Sequence, residues 1–275
     1  YPQRDAQYRE GIYVGYRYYD KAGVPVRWKF GFGLSYTEFA YSGLQLDGET
    51  VRVTVTNTGS LPGAEVVQLY VAPPQDGIYR PIRELKRFAK VYLQPGESRE
   101  VMFVLDDRCF AVWDKGWKVP AGRYGIFVGG GPDRLMNAGS IEKTGEPVTI
   151  PVWQPGSWYE KPGGAPPLEE WERMIGRKYK PHVPQKGSFT MDDTVMDMKE
   201  HSLVMRIMYW GIKRHISGRA KPGTAEYRML MESSAGGPLR SMQISGGLKP
   251  SLLNGLLAMA NGKFFTGLKI LLKGE

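Results

Sequence analysis

The stretch ETVRVTVTNTGSLPGAEVVQLYVA, residues 49–72, decides the fold. Val51, Val53 and Val55 alternate with polar residues, which is the period-two pattern of a β-strand with one buried face. Residues 57–63 contain Gly59, Pro62 and Gly63 in a cluster of mostly small polar residues, so they predict a turn. The segment AEVVQLYVA then alternates again. The stretch therefore predicts two strands joined by a turn.

Three more segments on the C-terminal side have the same character. They are ELKRFAKVYL (84–93), REVMFVL (99–105) and GRYGIFVG (122–129), and turn signals such as Pro95-Gly96 separate them. No amphipathic segment of helix length interrupts them. Short strands at regular spacing are typical of a sandwich, so residues 41–143 predict a seven-stranded antiparallel β-sandwich and a mainly β chain.

The residues after the sandwich lose this periodicity. Residues 144–187 are rich in proline and glycine, so we expect a linker in this range. One short helix is predicted within it, from Pro167 to Ile175, because proline suits the start of a helix. Gly176 is a typical residue at a helix end.

Residues 188–275 predict a helical C-terminal tail. Thr190 with Asp193 forms a predicted capping box for the first tail helix. A later segment has one apolar stripe, formed by Leu252, Leu253, Leu256, Leu257 and Ala260. We expect this stripe to dock on protein. A membrane-surface helix is the less favoured alternative, because MRIMYWGIKRHI (205–216) lacks a strongly charged polar face.

Composition excludes several classes of function. The net charge of the 275 residues is +9, but no run of five like charges occurs, so we expect no nucleic-acid partner. No apolar stretch approaches the roughly 18–20 residues of a membrane span. Cys109 is the one cysteine, so an intrachain disulfide framework and a cysteine-based zinc site are excluded. The sequence does not indicate a compartment.

No catalytic group can be assembled from the sequence. The three histidines, His182, His201 and His215, lie in the linker or the tail without metal-ligand spacing. Glu10 has aromatic neighbours that could make it a general acid, but a hydrogen-bonded structural carboxylate is the favoured interpretation. We therefore predict no catalytic residue, no metal site and no cofactor in this chain.

Residues 1–40 are dense in aromatic residues and glycine, and they match neither a regular helix nor a regular strand. Trp28, Phe30 and Phe32, with Tyr36, are the candidate substrate-binding residues, because aromatic rings can form a platform on which a sugar stacks. Packing of these rings against another domain is the favoured interpretation. We expect domains that precede this chain in the same protein to cover the segment.

The same residues resemble a known family. The segment EGIYVGYRYYDKAGVPVRWKFGFGLSYTEF (10–39) is similar to the end of the second, α/β-sandwich domain of glycoside hydrolase family 3 enzymes, the β-glucosidase family. FGFGLSYTEF resembles the passage into their third domain, and the predicted strands follow in the order of that fibronectin type III-like sandwich. The resemblance covers residues 8 to about 130. Residues 238–272 are more loosely similar to a helical tail of some bacterial members.

The resemblance implies four parts. They are the end of an α/β-sandwich glycosidase domain (1–40), an immunoglobulin-like, fibronectin type III-like sandwich (41–143), the linker (144–187) and the helical tail (188–275). Family members are retaining glycosidases with an aspartate nucleophile in an N-terminal barrel and a glutamate acid/base. The nucleophile motif, Ser-Asp-Trp or similar, does not occur in this chain, and the nearest match is Trp113-Asp114.

The resemblance therefore predicts an accessory region rather than a complete enzyme. It would brace the catalytic domains of a β-glucosidase-like hydrolase of carbohydrate breakdown, or line the rim of the substrate groove. Its partners would be the N-terminal catalytic domains and, through them, a carbohydrate. The alternative is a stand-alone sandwich module that binds carbohydrate or protein.

Overall fold

The structure is a computed structural model that describes residues 6–244 and 246–274. These residues fall into two compact units, Ala6–Tyr179 and the residues from Lys180 onward. Residues 144–179 of the expected linker lie in the first unit, together with the sandwich. The four predicted parts and their boundaries stay predictions.

The first unit contains the predicted antiparallel sandwich. Its strands are β1 (Phe39–Asp47), β2 (Thr50–Asn57), β3 (Gly63–Ala72), β4 (Glu84–Leu93), β5 (Ser98–Val104), β6 (Val112–Trp113), β7 (Trp117–Lys118), β8 (Gly122–Gly129) and β9 (Leu135–Lys143). One sheet has the order β1-β2-β5 and the other β4-β3-β8-β9, while β6 and β7 form a separate hairpin. Every pairing is antiparallel. The seven-stranded sandwich is therefore confirmed.

The core of the sandwich follows the alternation of the sequence. Val51, Val53 and Val55 of β2 are fully buried, and the residues between them are only partly covered. They pack in one cluster with residues of the opposite sheet, including Leu69 and Ile126. Apolar burial on this scale stabilises by about 1.5–3 kcal/mol per large side chain, so the valine row fixes which face of β2 points inward.

β3 differs from β2 because both of its faces are buried between Val67 and Val71. Its polar-looking face carries Gln68 and Tyr70, and the Tyr70 hydroxyl donates to Gln68 Oε1 at 2.6 Å. Gln68 Nε2 in turn donates to the Gly130 carbonyl at 3.1 Å. The ring of Tyr16 lies edge-on against Tyr70, with ring centroids 5.9 Å apart. Residues before the sandwich therefore cover the outer face of β3.

An aromatic cluster joins the chain before the sandwich to the chain after it. Tyr13, Trp158 and Tyr159 are buried together, and the Tyr159 hydroxyl donates to the Arg9 carbonyl at 2.8 Å. Two helices flank the cluster in sequence, α1 (Tyr16–Ala22) and α2 (Leu168–Ile175). The helix α2 confirms the predicted short helix, and Gly176 ends it with φ 69°. No helix was predicted at α1, which is seven residues long.

The β6–β7 hairpin is fastened by one buried carboxylate. Asp114 accepts hydrogen bonds from the Thr149 amide at 2.8 Å, the Thr149 hydroxyl at 2.9 Å and Lys118 Nζ at 3.1 Å. The two bonds from Thr149 and the lysine lower the pKa of Asp114 to about 2. Asp114 therefore has a structural role in this hairpin.

The second unit is a bundle of short helices. They are α3 (Val195–Met198), α4 (Leu203–Ser217), α5 (Ala225–Ser234), α6 (Leu239–Ile244), α7 (Pro250–Ala260) and α8 (Phe264–Lys273). Its core includes Met198, Met205, Leu239 and Leu253, all fully buried. Among the helices of the described residues, none combines the length and apolar character needed to cross a bilayer.

Two details of this unit differ from the sequence-based prediction. The capping box that begins α3 is formed by Thr194 and Asp197, four residues after the predicted pair. Thr190 and Asp193 do contact each other, since the Thr190 amide donates to the Asp193 carboxylate at 2.7 Å, but they begin no helix. In the leucine stripe, Leu252 is 36% exposed and does not share the buried face.

α7 and α8 approach closely through two glycines. A Cβ atom on Gly267 would lie 2.4 Å from the Gly255 carbonyl oxygen and 2.5 Å from Met259 Cγ. The α4 residue Gly211, by contrast, has open space around the position of a Cβ atom. The α7–α8 crossing therefore requires glycine, whereas the middle of α4 does not.

We expect the Asp114→Asn variant to be less stable than the natural protein at neutral pH. The pKa of Asp114 is depressed in the folded state, so its contribution is present above the ordinary aspartate pKa of 3.8 and is lost as the pH falls toward 2. The urea unfolding midpoints of the two proteins, measured at pH values from 2 to neutrality, give the difference in stability. Asp47→Asn, at an exposed strand end, is the control; a gap for Asp114→Asn that persists unchanged at pH 2 would contradict the assignment.

We expect alanine to have opposite effects at the two helix glycines. Gly267→Ala should lower stability by about 1–3 kcal/mol, because the methyl group collides with α7 backbone. Gly211→Ala should raise stability by about 0.5–1 kcal/mol, because it only improves helix propensity. Thermal unfolding followed by helical circular dichroism compares them. A higher melting temperature for both variants would contradict the inference that the α7–α8 crossing requires glycine.

Candidate functional site

The most exposed apolar surface of the first unit lies in the segment before β1. Leu34 and Tyr36 are 96% and 93% exposed, and Trp28 is 62% exposed. Trp28 and Phe32 lie against each other with ring centroids 4.6 Å apart, and the Arg27 guanidinium lies 5.4 Å from the Trp28 ring centroid. We call residues 24–36 the aromatic segment. It presents a patch of the kind that usually marks an interaction surface.

The aromatic segment is anchored at its centre. Gly31 has φ 79°, and a Cβ atom there would lie 2.6 Å from Gln68 Nε2, so only glycine allows this close approach to β3. Phe30 packs on Tyr16 with ring centroids 5.1 Å apart. Lys29 Nζ lies 3.7 Å from an Asp133 carboxylate oxygen. The exposed rings thus rest on a fixed loop.

The C-terminal end of the segment is fixed by Asn57, a fully buried residue at the end of β2. Its Oδ1 accepts hydrogen bonds from Thr37 Oγ1 at 2.5 Å and from the Gly59 amide at 3.1 Å. Its Nδ2 donates to the carbonyls of Leu61 and Leu93. Because Thr37 directly follows Tyr36, this network sets where the aromatic segment enters the sandwich.

A groove of about 400 Å³ lies beside the segment. Its walls include Arg27, Lys29, Phe30, Phe32, Asp133 and Arg134. Aromatic rings beside cationic and acidic side chains provide both stacking surface and hydrogen-bonding groups. The arrangement can bind a polar ligand or a protein loop, and it contains no paired carboxylates for glycoside hydrolysis.

The structure brings two of the three candidate residues together. Trp28 and Phe32 form the exposed pair, while Phe30 turns toward Tyr16. Sequence reasoning missed Leu34, the most exposed large apolar residue in the segment. Its exposure could have been predicted from its neighbours, since Leu34 lies between Gly33 and Ser35 and belongs to no strand or helix pattern with a buried face.

The other residues considered for chemistry have structural surroundings. The backbone carbonyl of Glu10 accepts a hydrogen bond from the Tyr79 hydroxyl at 3.0 Å. His182 Nε2 lies 2.8 Å from Asp193 Oδ1. Cys109 is buried, and burial raises the pKa of its thiol, which disfavours the reactive thiolate. Across the described ranges, no group of three or more His, Cys, Asp or Glu could hold a metal ion.

Comparison with known sequences gives consistent matches. Residues 65–131 match the family model of the fibronectin type III-like domain. A probable β-glucosidase I of Aspergillus fumigatus is 46% identical over 154 residues, which are 50% of this chain and 18% of that protein. An exo-α-(1→6)-L-arabinopyranosidase of Bifidobacterium breve is 41% identical over 169 residues, 58% of this chain and 22% of that protein. The chain thus spans about a fifth of the length of these relatives.

Solved structures of β-glucosidases are also similar. The family 3 β-glucosidase of Bifidobacterium adolescentis is 37% identical, with a TM-score of 0.47, over 60% of this chain and 25% of that chain. β-Glucosidase 3B of Thermotoga neapolitana is 44% identical, with a TM-score of 0.45, over 49% and 20% respectively.

The matches and the sandwich agree with one another. The matched residues 65–131 run from within β3 to just beyond β8, so they include the strands that form most of the four-stranded sheet. The relatives match about half of this chain at more than 40% identity. The chain therefore carries a fibronectin type III-like domain and matches the C-terminal part of glycoside hydrolase family 3 enzymes of the β-glucosidase type.

Proposed function

We propose that this chain is the C-terminal accessory region of a family 3 glycoside hydrolase that cleaves O-glycosidic bonds in carbohydrate metabolism. In this role the sandwich braces the N-terminal catalytic domains of the same protein. The observation that carries the proposal is the aromatic segment, which is anchored on β3 but leaves Leu34 and Tyr36 almost fully exposed. The relatives are about five times longer than the matched region. In this proposal, the residues outside the matched region form the domain that covers the segment.

The segment suits a permanent intramolecular contact. Burying a large apolar side chain stabilises by about 1.5–3 kcal/mol, so covering several of these residues would hold two domains together. The groove next to Trp28 and Phe32 would then lie near the rim of the substrate site, and these two rings, with Phe30 behind them, are the proposed carbohydrate contacts. The groove alone would also suit a stand-alone binding module, but the nearly complete exposure of Leu34 and Tyr36 favours the intramolecular contact.

The sugar and the source of the enzyme are left open by the relatives. Their names include a glucosidase and an arabinopyranosidase, so they do not agree on one glycoside. The loose similarity of residues 238–272 to the tail of some bacterial members predicts a bacterial source. Because the relatives come from both Aspergillus and Bifidobacterium species, that source stays a prediction.

We expect the chain alone to release no product from an aryl β-glucoside, because its sequence lacks the nucleophile motif of the retaining enzymes. Added to the catalytic domains of a family 3 β-glucosidase produced without their C-terminal region, it should form a complex and raise their turnover. The Leu34→Ser/Tyr36→Ser double variant should bind at least about tenfold more weakly, since it loses two large apolar contacts. Calorimetry and a chromogenic assay give both readouts.

Phe88→Ser/Tyr92→Ser is the matched control. Both residues are exposed on β4, outside the aromatic segment, and their replacement should leave complex formation unchanged. Turnover by the chain alone that disappears in Glu10→Gln would overturn the accessory role. Equal binding by the natural chain and the Leu34→Ser/Tyr36→Ser variant would remove the aromatic segment from the proposed contact.

A further inference from the structure

The last helix, α8, carries an apolar stripe on its outward face. Phe265, Leu268 and Leu272 follow the helical spacing i, i+3, i+7 and are 84%, 38% and 79% exposed. Gly267 on the opposite side is buried against α7. Because the glycine contact fixes the rotation of α8, its apolar stripe is held toward the outside of the unit.

Lysines are the only charged residues of this helix and its N-terminal flank. Lys269 and Lys273 lie on α8, Lys263 precedes it, and all three are exposed. The sequence from Lys263 to Lys273 contains no Asp or Glu. An apolar stripe with three exposed lysines on its own helix and N-terminal flank fits a surface that is both apolar and anionic.

The longest helix, α4, repeats this composition independently. Leu203, Ile207 and Trp210 are each more than 60% exposed, and the Arg214 guanidinium lies 5.5 Å from the Trp210 ring centroid. Arg206, Lys213 and Arg214 lie on α4 and are exposed, and α4 contains no acidic residue. The sequence of α4 predicted no strongly charged polar face, but in the structure its exposed cations lie on the same helix as its exposed apolar residues, so α4 and α8 expose the same combination of groups.

The expected protein-docking stripe is already engaged within the unit. Leu253 is fully buried, and Leu256 and Leu257 pack against the same core. These leucines close the helical bundle, so they give no reason for a protein partner. The outward stripes of α4 and α8 contribute nothing to that core.

Charge discriminates between the possible occupants of these stripes. Residues 180–275 contain 14 Lys and Arg against 7 Asp and Glu, a net charge of +7. A second copy packed on α8 would bring the lysines of both copies together, which is repulsive. An anionic bilayer supplies an apolar layer for Phe265 and Leu272 and phosphate groups for the lysines.

We propose that the helical unit adsorbs to the surface of an anionic lipid bilayer through the outward face of α8. The helix lies in the plane of the interface, with the apolar stripe below the headgroups and the lysines at phosphate level. This binding does not depend on the glycosidase assignment, because it uses only residues of the second unit.

The test is co-sedimentation of the full chain with vesicles, one set of phosphatidylcholine alone and one set with roughly one-third phosphatidylglycerol. We expect binding to the anionic vesicles that falls with salt, and little to the neutral ones. Lys263→Gln/Lys269→Gln/Lys273→Gln should weaken partitioning by on the order of a hundredfold, since each surface lysine contributes about fivefold. Phe265→Ser/Leu272→Ser should abolish it, and circular dichroism verifies that both variants fold.

The matched control replaces three exposed lysines of the first unit, Lys90→Gln/Lys115→Gln/Lys161→Gln, and should change partitioning less than about twofold. Equal weakening by this control would show adsorption through overall charge and would overturn the proposal. No sedimentation with anionic vesicles would also overturn it. So would a dimer in analytical ultracentrifugation that Phe265→Ser/Leu272→Ser dissociates, because α8 would then be a self-interface.

Discussion

Burial of β3 on both faces is the constraint on which the first unit depends. The inner face meets the valine row of β2, and the outer face is covered by residues that precede the sandwich. A sheet strand in an ordinary two-layer sandwich leaves one face to solvent. Because Gln68 and Tyr70 are buried and hydrogen-bonded to each other, the chain before β1 has to lie across this strand. The sandwich and the segment before it therefore pack as a single unit.

The same constraint separates structural aromatic residues from those available for contacts. Tyr13 and Tyr16 pack inward, on the aromatic cluster and on β3 respectively. Trp28 and Tyr36 lie on the two sides of the Gly31 anchor and stay exposed. The helical unit shows a similar division, since Leu253 closes its core while Phe265 faces out. In both units, a glycine contact determines which apolar side chains remain uncovered.

The sandwich could be predicted from sequence because the alternation of apolar and polar residues within a strand indicates its buried face, as Val51, Val53 and Val55 show for β2. The helix α2 was predictable for a similar reason, since Pro167 and Gly176 mark its ends. The outer cover of β3 was not, because Tyr16 and Tyr70 are 54 positions apart and no periodicity links them. Thr190 with Asp193 and Thr194 with Asp197 both have capping-box spacing, and only packing of Val195 and Met198 selects the second. Trp28 and Phe32 were recognisable as candidate contacts, but the exposure of Leu34 depends on the path of the loop.

The burial of Cys109 has a practical consequence for this protein. It is the single thiol of the chain, and its Sγ lies 3.4 Å from Asp106 Oδ1 beneath the sandwich surface. Air oxidation to a disulfide-linked dimer would require the core to open first. The purified protein should therefore stay reduced and unlinked when it is stored without a reducing agent. A cysteine introduced at a chosen surface position would then be the sole accessible attachment point for a fluorophore or spin label. Two such cysteines, one introduced on each unit, would allow the distance between the units to be measured in solution without removing the native residue.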